Sequence, residues 1–259
     1  MKAARRPWCA LVGAGPGDPE LLTLKALRTV RRATLLLVDD LVSEAVLERA
    51  LRGRRRAGLR VVHVGKRGGC RSTPQAFIER LMVSAALAGE QVVRLKGGDP
   101  LVFGRGGEEA AALRAQGIEV EIVNGITAGL AAATALGVPW THRDHAQGAI
   151  LVTAHAREGA AGPHWPTLAA AAAQGLTLVI YMGMSRLDEI QAGLLQGLAS
   201  ATPAALVEHA GLPRERRRLT TLGRLAADAR ELGSPGIVIV GPVLGAARAG
   251  AAADAARAA

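Results

Sequence analysis

The chain has 259 residues, enough to bury a large core in one domain or two. Hydrophobic residues make up 49% of it, yet no apolar run reaches the roughly 18 residues of a membrane helix, so no membrane span is expected. The net charge of +10 would suit nucleic acid, but three Trp, two Phe and one Tyr offer few surfaces for stacking bases, and no nucleic-acid partner is expected.

Lys2, Arg5 and Arg6 precede an apolar stretch, as in a secretory signal. Trp8 to Val12, however, runs at once into Gly13-Ala14-Gly15-Pro16, which suits a first strand and its loop better. Strands are predicted over 8–13, 34–38, 60–64, 91–95 and 118–123, with helices over 19–32, 43–51, 73–88 and 106–116. Short Leu-rich or β-branched strands alternating with helices point to a parallel sheet covered on both faces. Asp18 before Pro19 reads as an N-cap with proline at the first helical position. Ser72-Thr73-Pro74-Gln75 has the spacing of a capping box.

After Asn124-Gly125 the pattern changes. An alanine-rich helix is predicted over 126–136, then strands over 149–153, 176–181, 204–208 and 236–240, with one more over 217–221. Ala160 to His164 reads as a loop. The connections around 209–221 are too short for a helical crossover, so the second sheet is expected to be mixed. The predicted organisation is an N-terminal α/β domain over 7–124, a C-terminal α/β domain over 125–244, and an Ala-rich tail over 245–259, expected to be disordered. Cys9 and Cys70 show no paired spacing, which suggests a reducing cytoplasm, and Cys9 reads as a small core residue.

The most informative segment is Val93 to Glu109. It begins as an apolar strand, crosses the loop Gly97-Gly98-Asp99-Pro100-Leu101-Val102-Phe103-Gly104-Arg105, and ends in the first turn of a helix. Glycine lets a backbone close on a ligand, and such loops at strand carboxyl ends are where open α/β sheets bind small molecules. The first loop invites a dinucleotide reading, with Asp39 as the ribose-binding acid. Asp18 stands where the third glycine should be, and Pro16 removes an N–H that a pyrophosphate would use. A nicotinamide oxidoreductase is therefore the weaker reading. His142 and His145 lack a third partner for a metal.

Six ordered blocks together are more specific than any one loop. Leu11 to Lys25, Val38 to Ser43, Val64 to Arg67, Asn124 to Ala128, Pro139 to Arg143 and Ile180 to Gly183 accompany the Val93–Glu109 loop. From about Leu11 to Val243 the chain resembles the uroporphyrinogen-III C-methyltransferases of the tetrapyrrole methylase family. The resemblance implies two α/β domains with the active site in the cleft between them, a homodimer, and transfer of two methyl groups from S-adenosylmethionine to uroporphyrinogen III, giving precorrin-2 for sirohaem or cobalamin. A later corrin methyltransferase and an RNA-modifying relative share fold and cofactor. Fused members add an oxidation and iron-insertion domain; methylation alone is expected here.

The resemblance places Pro16, Gly97, Gly98, Asp99, Val102, Thr127, Ala128 and Met182 at the cofactor. Ala210 joins them on a weaker match, because many relatives carry Gly-Thr where this chain has Ala210-Gly211, and a backbone contact there survives only if φ is negative. Met182 alone would read as core packing. Arg105 and Arg143 are the arginines suited to substrate carboxylates, and Met182 also falls on the substrate side. Glu108 is open between orienting a pyrrole N–H or a neighbouring arginine and stabilising a helix N-terminus; Glu109 is read as the latter. For the proton lost after carbon methylation, Asp39 is the first candidate base. Lys66 matches a proton-transfer position but equally suits a carboxylate-binding cation. Arg105 would serve only with its pKa strongly lowered. The arginine runs 52–56 and 214–218 read as solvated loops or as a positive field that speeds capture of a polycarboxylate.

Overall fold

The computed structural model describes residues 6–53, 58–65, 73–156, 159 and 161–245. Lys66, Cys70, Ser72, Arg54 to Arg56 and most of the expected tail lie outside the described residues. Two compact units divide the chain, Met1–Thr127 and Ala128–Ala259.

In the first unit, β1 (Trp8–Gly13), β2 (Leu35–Val38), β3 (Arg60–His63), β4 (Gln91–Lys96) and β5 (Glu119–Val123) form one sheet, in the order β3-β2-β4-β1-β5. Every pairing is parallel. Helices α1 (Leu24–Val30), α2 (Glu44–Leu51), α3 (Gln75–Leu87) and α4 (Gly106–Arg114) cover it. Strand alternation sorts the core. Ala10, Val12, Val93 and Leu95 pack with Ala26, Val30, Val46 and Leu47 of α1 and α2. Cys9, Leu11 and Val92 face Ile78 and Met82 of α3 and Leu113 of α4. Cys9 is fully buried, and burial pushes its thiol up to about 12, so it is inert packing.

Two local expectations need correction. The helix predicted over 19–32 is broken. Asp18 does cap it, accepting from the Glu20 N–H at 2.8 Å, but only a 3-10 turn, Pro19–Leu21, follows. Leu22 is extended and Thr23 caps α1 afresh, accepting from Ala26 N–H at 3.1 Å. The expected cap of α3 shifts as well, with Ser72 itself outside the described residues. Pro74 is the N-cap of α3 and provides no side-chain bond. Gln75 turns away to Glu109, donating from Nε2 to Oε1 at 3.1 Å.

The second unit holds α5 (Ala128–Leu136), β6 (Gly148–Thr153), α6 (Trp165–Ala173), β7 (Leu176–Tyr181), α7 (Leu187–Leu194), β8 (Pro203–Glu208), β9 (Arg216–Thr221), α8 (Leu225–Asp228) and β10 (Gly236–Val240). Its sheet runs β6-β7-β10-β8-β9, with β6–β7 parallel and the rest antiparallel, so it is mixed as expected. Leu178, Ile180, Leu206 and Val238 pack against Trp165, Ile190 and Leu194 on one face. On the other, α5 approaches so closely that Gly129 N–H donates to the Tyr181 hydroxyl at 3.1 Å. The basic run near 214–218 is mostly strand rather than loop. Arg216, Arg217 and Arg218 line the edge strand β9, where charge discourages pairing with a foreign edge. Among the described residues no helix is long and apolar enough to cross a membrane.

Candidate active site

In the first unit the chain reverses its direction of travel across the sheet at β1 and β4, which lie side by side. The carboxyl ends of two such strands form the usual binding crevice of an open parallel sheet. The loops that leave them are joined. Gly15 N–H donates to Gly98 O at 3.2 Å and Gly98 N–H returns to Gly15 O at 2.8 Å, while Ala14 N–H donates to Lys96 O at 2.8 Å. A third segment closes on this pair: a Cβ on Gly125 would lie 2.2 Å from Gly98 O, and one on Gly13 would lie 2.5 Å from Gly125 N.

Asp99 fastens the third segment to the loop after β4. It is 7% exposed; Oδ1 accepts from Leu101 N–H at 2.8 Å, and Oδ2 accepts from Gly125 N–H at 3.1 Å and Asn124 Nδ2 at 3.2 Å. Its first job is thus to build the rim. Gly97 has Leu41 packed against it, where a Cβ would meet Leu41 Cβ at 2.5 Å. Pro16, Val102 and Thr127 are half-buried beside these segments, and Ala128 opens α5 at the start of the second unit.

The same bonds count against a pyrophosphate site. The amides of Ala14 and Gly15 are used by backbone carbonyls, and the Asp18 carboxylate occupies the start of the following turn. An anion would find the amides of Ala14 and Gly15 already taken and a carboxylate at the turn that follows.

Below the rim lies a buried ionic cluster that sequence reasoning missed. Arg94 and Lys96 share the strand face of Val92, under α3 and α4, and are 3% and 4% exposed. Glu109, read from sequence as a helix N-terminal charge, is fully buried between them. Lys96 Nζ lies 3.0 Å from Oε2, Arg94 Nε 3.5 Å from Oε1, and Gln75 donates at 3.1 Å. Burial lowers the Lys96 pKa first and the Arg94 charge adds to this, with Glu109 opposing both. Arg94 then reaches Asp39, Nη2 to Oδ2, at 2.8 Å. Asp39 directly follows β2 and stays partly exposed at 27%. The signal available in sequence was the polar pair Arg94 and Lys96, two apart in a strand whose faces are both covered.

Arg105 sits at φ 57° and is gripped by Glu108, Nη2 to Oε2 at 2.6 Å and Nε to Oε1 at 3.1 Å. Glu108 thus pairs with the neighbouring arginine. The hydrogen bond to Glu108 raises the Arg105 pKa, the opposite of the lowering a base would need.

In the second unit, Met182 follows β7 with φ 54° and is 47% exposed, which rules out core packing. The left-handed residues after β8 are His209 and Gly211, on either side of Ala210, so the backbone there accommodates alanine. Replacing Ala210 by glycine is expected to cost roughly 1 kcal/mol through chain entropy and to leave cofactor affinity within about twofold, checked by denaturant unfolding and calorimetric titration. Glu208 beside it is almost fully buried. Burial would raise its pKa, but Arg216 at 2.6 Å and the Gly233 amide at 3.0 Å bring it below the usual range. Burial, aided by Arg214, lowers His209.

Arg143 is not brought to Met182. It lies in an exposed turn closed by His142 and Ala146, and neighbouring His145 packs at Gly175, before β7 begins. Met182 lies past the other end of β7, so the two flank opposite ends of one strand, about 20 Å apart at 3.3 Å per residue. The motif containing Arg143 precedes β6, which runs parallel to β7 and so starts at the far end. His142 and His145 stack at 4.6 Å, and among the described residues no group of three ligating side chains could hold a metal.

The sequence profile of the tetrapyrrole (corrin/porphyrin) methylases matches residues 9–226. A uroporphyrinogen-III C-methyltransferase of Pseudomonas aeruginosa is 54% identical over 90% of this chain and 92% of its own length. Siroheme synthase 2 of Aeromonas hydrophila is 48% identical over 90% of this chain, which spans 48% of that longer protein. The crystal structure of a Thermus thermophilus uroporphyrin-III C-methyltransferase complexed with S-adenosyl homocysteine is 42% identical, covers 92% of this chain and 98% of its own, and superposes with a TM-score of 0.76. With a profile match over most of its length and full-length relatives of this identity, the chain belongs to the tetrapyrrole methylases.

Proposed function

We propose that this protein is an S-adenosylmethionine-dependent C-methyltransferase that adds two methyl groups to uroporphyrinogen III, giving precorrin-2. The observation that carries the reading is 54% identity, over nearly the full length of both chains, to an enzyme of that name. The charge balance of the first unit fits the cofactor. Arg105 is neutralised by Glu108, and Arg94 and Lys96 by Glu109 and Asp39, so these three cations near Asp99 are balanced and do not repel a sulfonium.

When bound, S-adenosylmethionine supplies an electrophilic methyl group already activated by its sulfonium. The residues that would hold it are Pro16, Gly97, Gly98, Asp99, Val102, Thr127, Ala128, Met182 and Ala210. The chain's work is then to place an electron-rich pyrrole carbon in line and to take a proton afterwards. Asp39 is the acceptor in this reading. Its Oδ2 is committed to Arg94, which leaves Oδ1 for the proton. Arg105 holds a substrate carboxylate and Glu108 fixes the guanidinium that does so. Lys66 remains a second candidate for proton transfer. A homodimer in the cytoplasm completes the reading and rests on the family resemblance.

The test is anaerobic incubation with uroporphyrinogen III and methyl-labelled S-adenosylmethionine, followed by mass spectrometry of the tetrapyrrole. Two labelled methyl groups per macrocycle are expected. An unlabelled tetrapyrrole would overturn the substrate assignment.

A further inference from the structure

Arg94 sits where stability gives little reason for an arginine. A buried ion pair is often no more stabilising than apolar residues of similar volume, yet two of the three β4 residues on this face, Arg94 and Lys96, are charged. The cluster comprises two cations, Arg94 and Lys96, and one fully buried anion, Glu109. The second anion that balances it is Asp39, at the edge of the cluster and partly open to solvent. Glu109 is itself held from three directions, by Arg94 and Lys96 of β4 and by Gln75 of α3. A chain of contacts therefore runs from helices α3 and α4 through Glu109 and Arg94 to one oxygen of Asp39. Its other oxygen accepts, among the described residues, a long bond from Leu41 N–H at 3.4 Å.

We infer that Arg94, braced by Glu109, is a positioning residue: it locks Asp39 Oδ2 so that Oδ1 is presented in a fixed direction to the proton lost by the methylated macrocycle. This rests on the reading of Asp39 as proton acceptor. A guanidinium fork suits the task because it can bond two carboxylates at a set angle, Nε toward Glu109 and Nη2 toward Asp39. Lysine would keep the charge and lose the angle. The effect belongs to turnover, because Arg94 is too deeply buried to meet either substrate.

The experiment is a double-mutant cycle with Arg94→Lys and Asp39→Asn, read as kcat and KM by the labelled-methyl assay. Arg94→Lys is expected to lower kcat about tenfold while both KM values stay within about twofold. In the Asp39→Asn background the same change should lower kcat less than about twofold, since nothing remains to be aimed. A structural role would instead cut both backgrounds by the same factor, and that result would overturn the inference. So would an effect falling mainly on KM, or full activity of Asp39→Asn itself; in the latter case methyl transfer by the unaltered protein would keep the reaction and remove only the role of Asp39. If Arg94→Lys does not bind S-adenosylhomocysteine with full stoichiometry, Gln75→Ala takes its place. It loosens Glu109 from the far side and should lower kcat about threefold in the Asp39 background only; equal loss in both backgrounds, or none, would refute the proposal.

Discussion

Alanine at position 125 is expected to unfold or severely loosen the first unit, with a loss of at least about 3 kcal/mol. The added Cβ would stand 2.2 Å from Gly98 O and 2.9 Å from Gly13 Cα. Those atoms are backbone, and no side chain can rotate away. Overpacking of this kind usually costs about 1–3 kcal/mol, and more where neighbours cannot move. Here the obstructing carbonyl belongs to Gly98, which is tied to Gly15 by two hydrogen bonds, so relief means breaking the rim. Gly107 is the control. It lies in the first turn of α4 with nothing within 4 Å of its missing Cβ. Gly107→Ala should be neutral or stabilising by up to about 1 kcal/mol. Urea unfolding of both variants decides the matter, and equal midpoints would show that the close approach carries no weight.

Glu109→Leu is expected to have the second large effect, a loss of about 3–5 kcal/mol, because it strands the buried Lys96 and takes one of the two carboxylate partners of the buried Arg94. Against a typical total stability of about 5–15 kcal/mol, that is enough to populate unfolded chain under mild denaturant. Its neighbour in sequence makes the contrast. Glu108 pairs with Arg105 at the surface, the two side chains 58% and 54% exposed. Glu108→Gln should shift stability by less than about 1 kcal/mol. The pair tests burial rather than charge, since both substitutions delete one carboxylate from the same turn of α4. A shift of under 1 kcal/mol for Glu109→Leu would mean that the cluster contributes nothing net.

Those two glutamates also show where sequence reasoning stops. Strands announced themselves through local composition, and each of the first five begins and ends within a residue or so of its expected position, as does the mixed character of the second sheet. Glu109 was misread because its partners lie on β4 and α3, and nothing at position 109 tells which way the helix turns its side chain. Gln75 was assigned to a cap for the same reason: its nearest chain neighbours suggested one bond, and a distant carboxylate won it. Thr23 was overlooked as a cap because apolar residues continue on both sides of it. Arg143 illustrates the other limit. Its motif was legible, but where its turn stands relative to Met182 follows only from the direction of β6.

The reciprocal bonds between Gly15 and Gly98 have a consequence for motion. Loops that follow adjacent parallel strands normally fluctuate independently, and their amides exchange with solvent soon after dissolution. Here the loop after β1 and the loop after β4 have traded one N–H each, so neither can swing out alone. Their amide protons should exchange on the timescale of the strands beneath them rather than of surface loops, measured by hydrogen–deuterium exchange resolved to Gly15 and Gly98. This part of the rim is a fixed jamb, and any hinge that admits a ligand to the first unit has to lie in other segments.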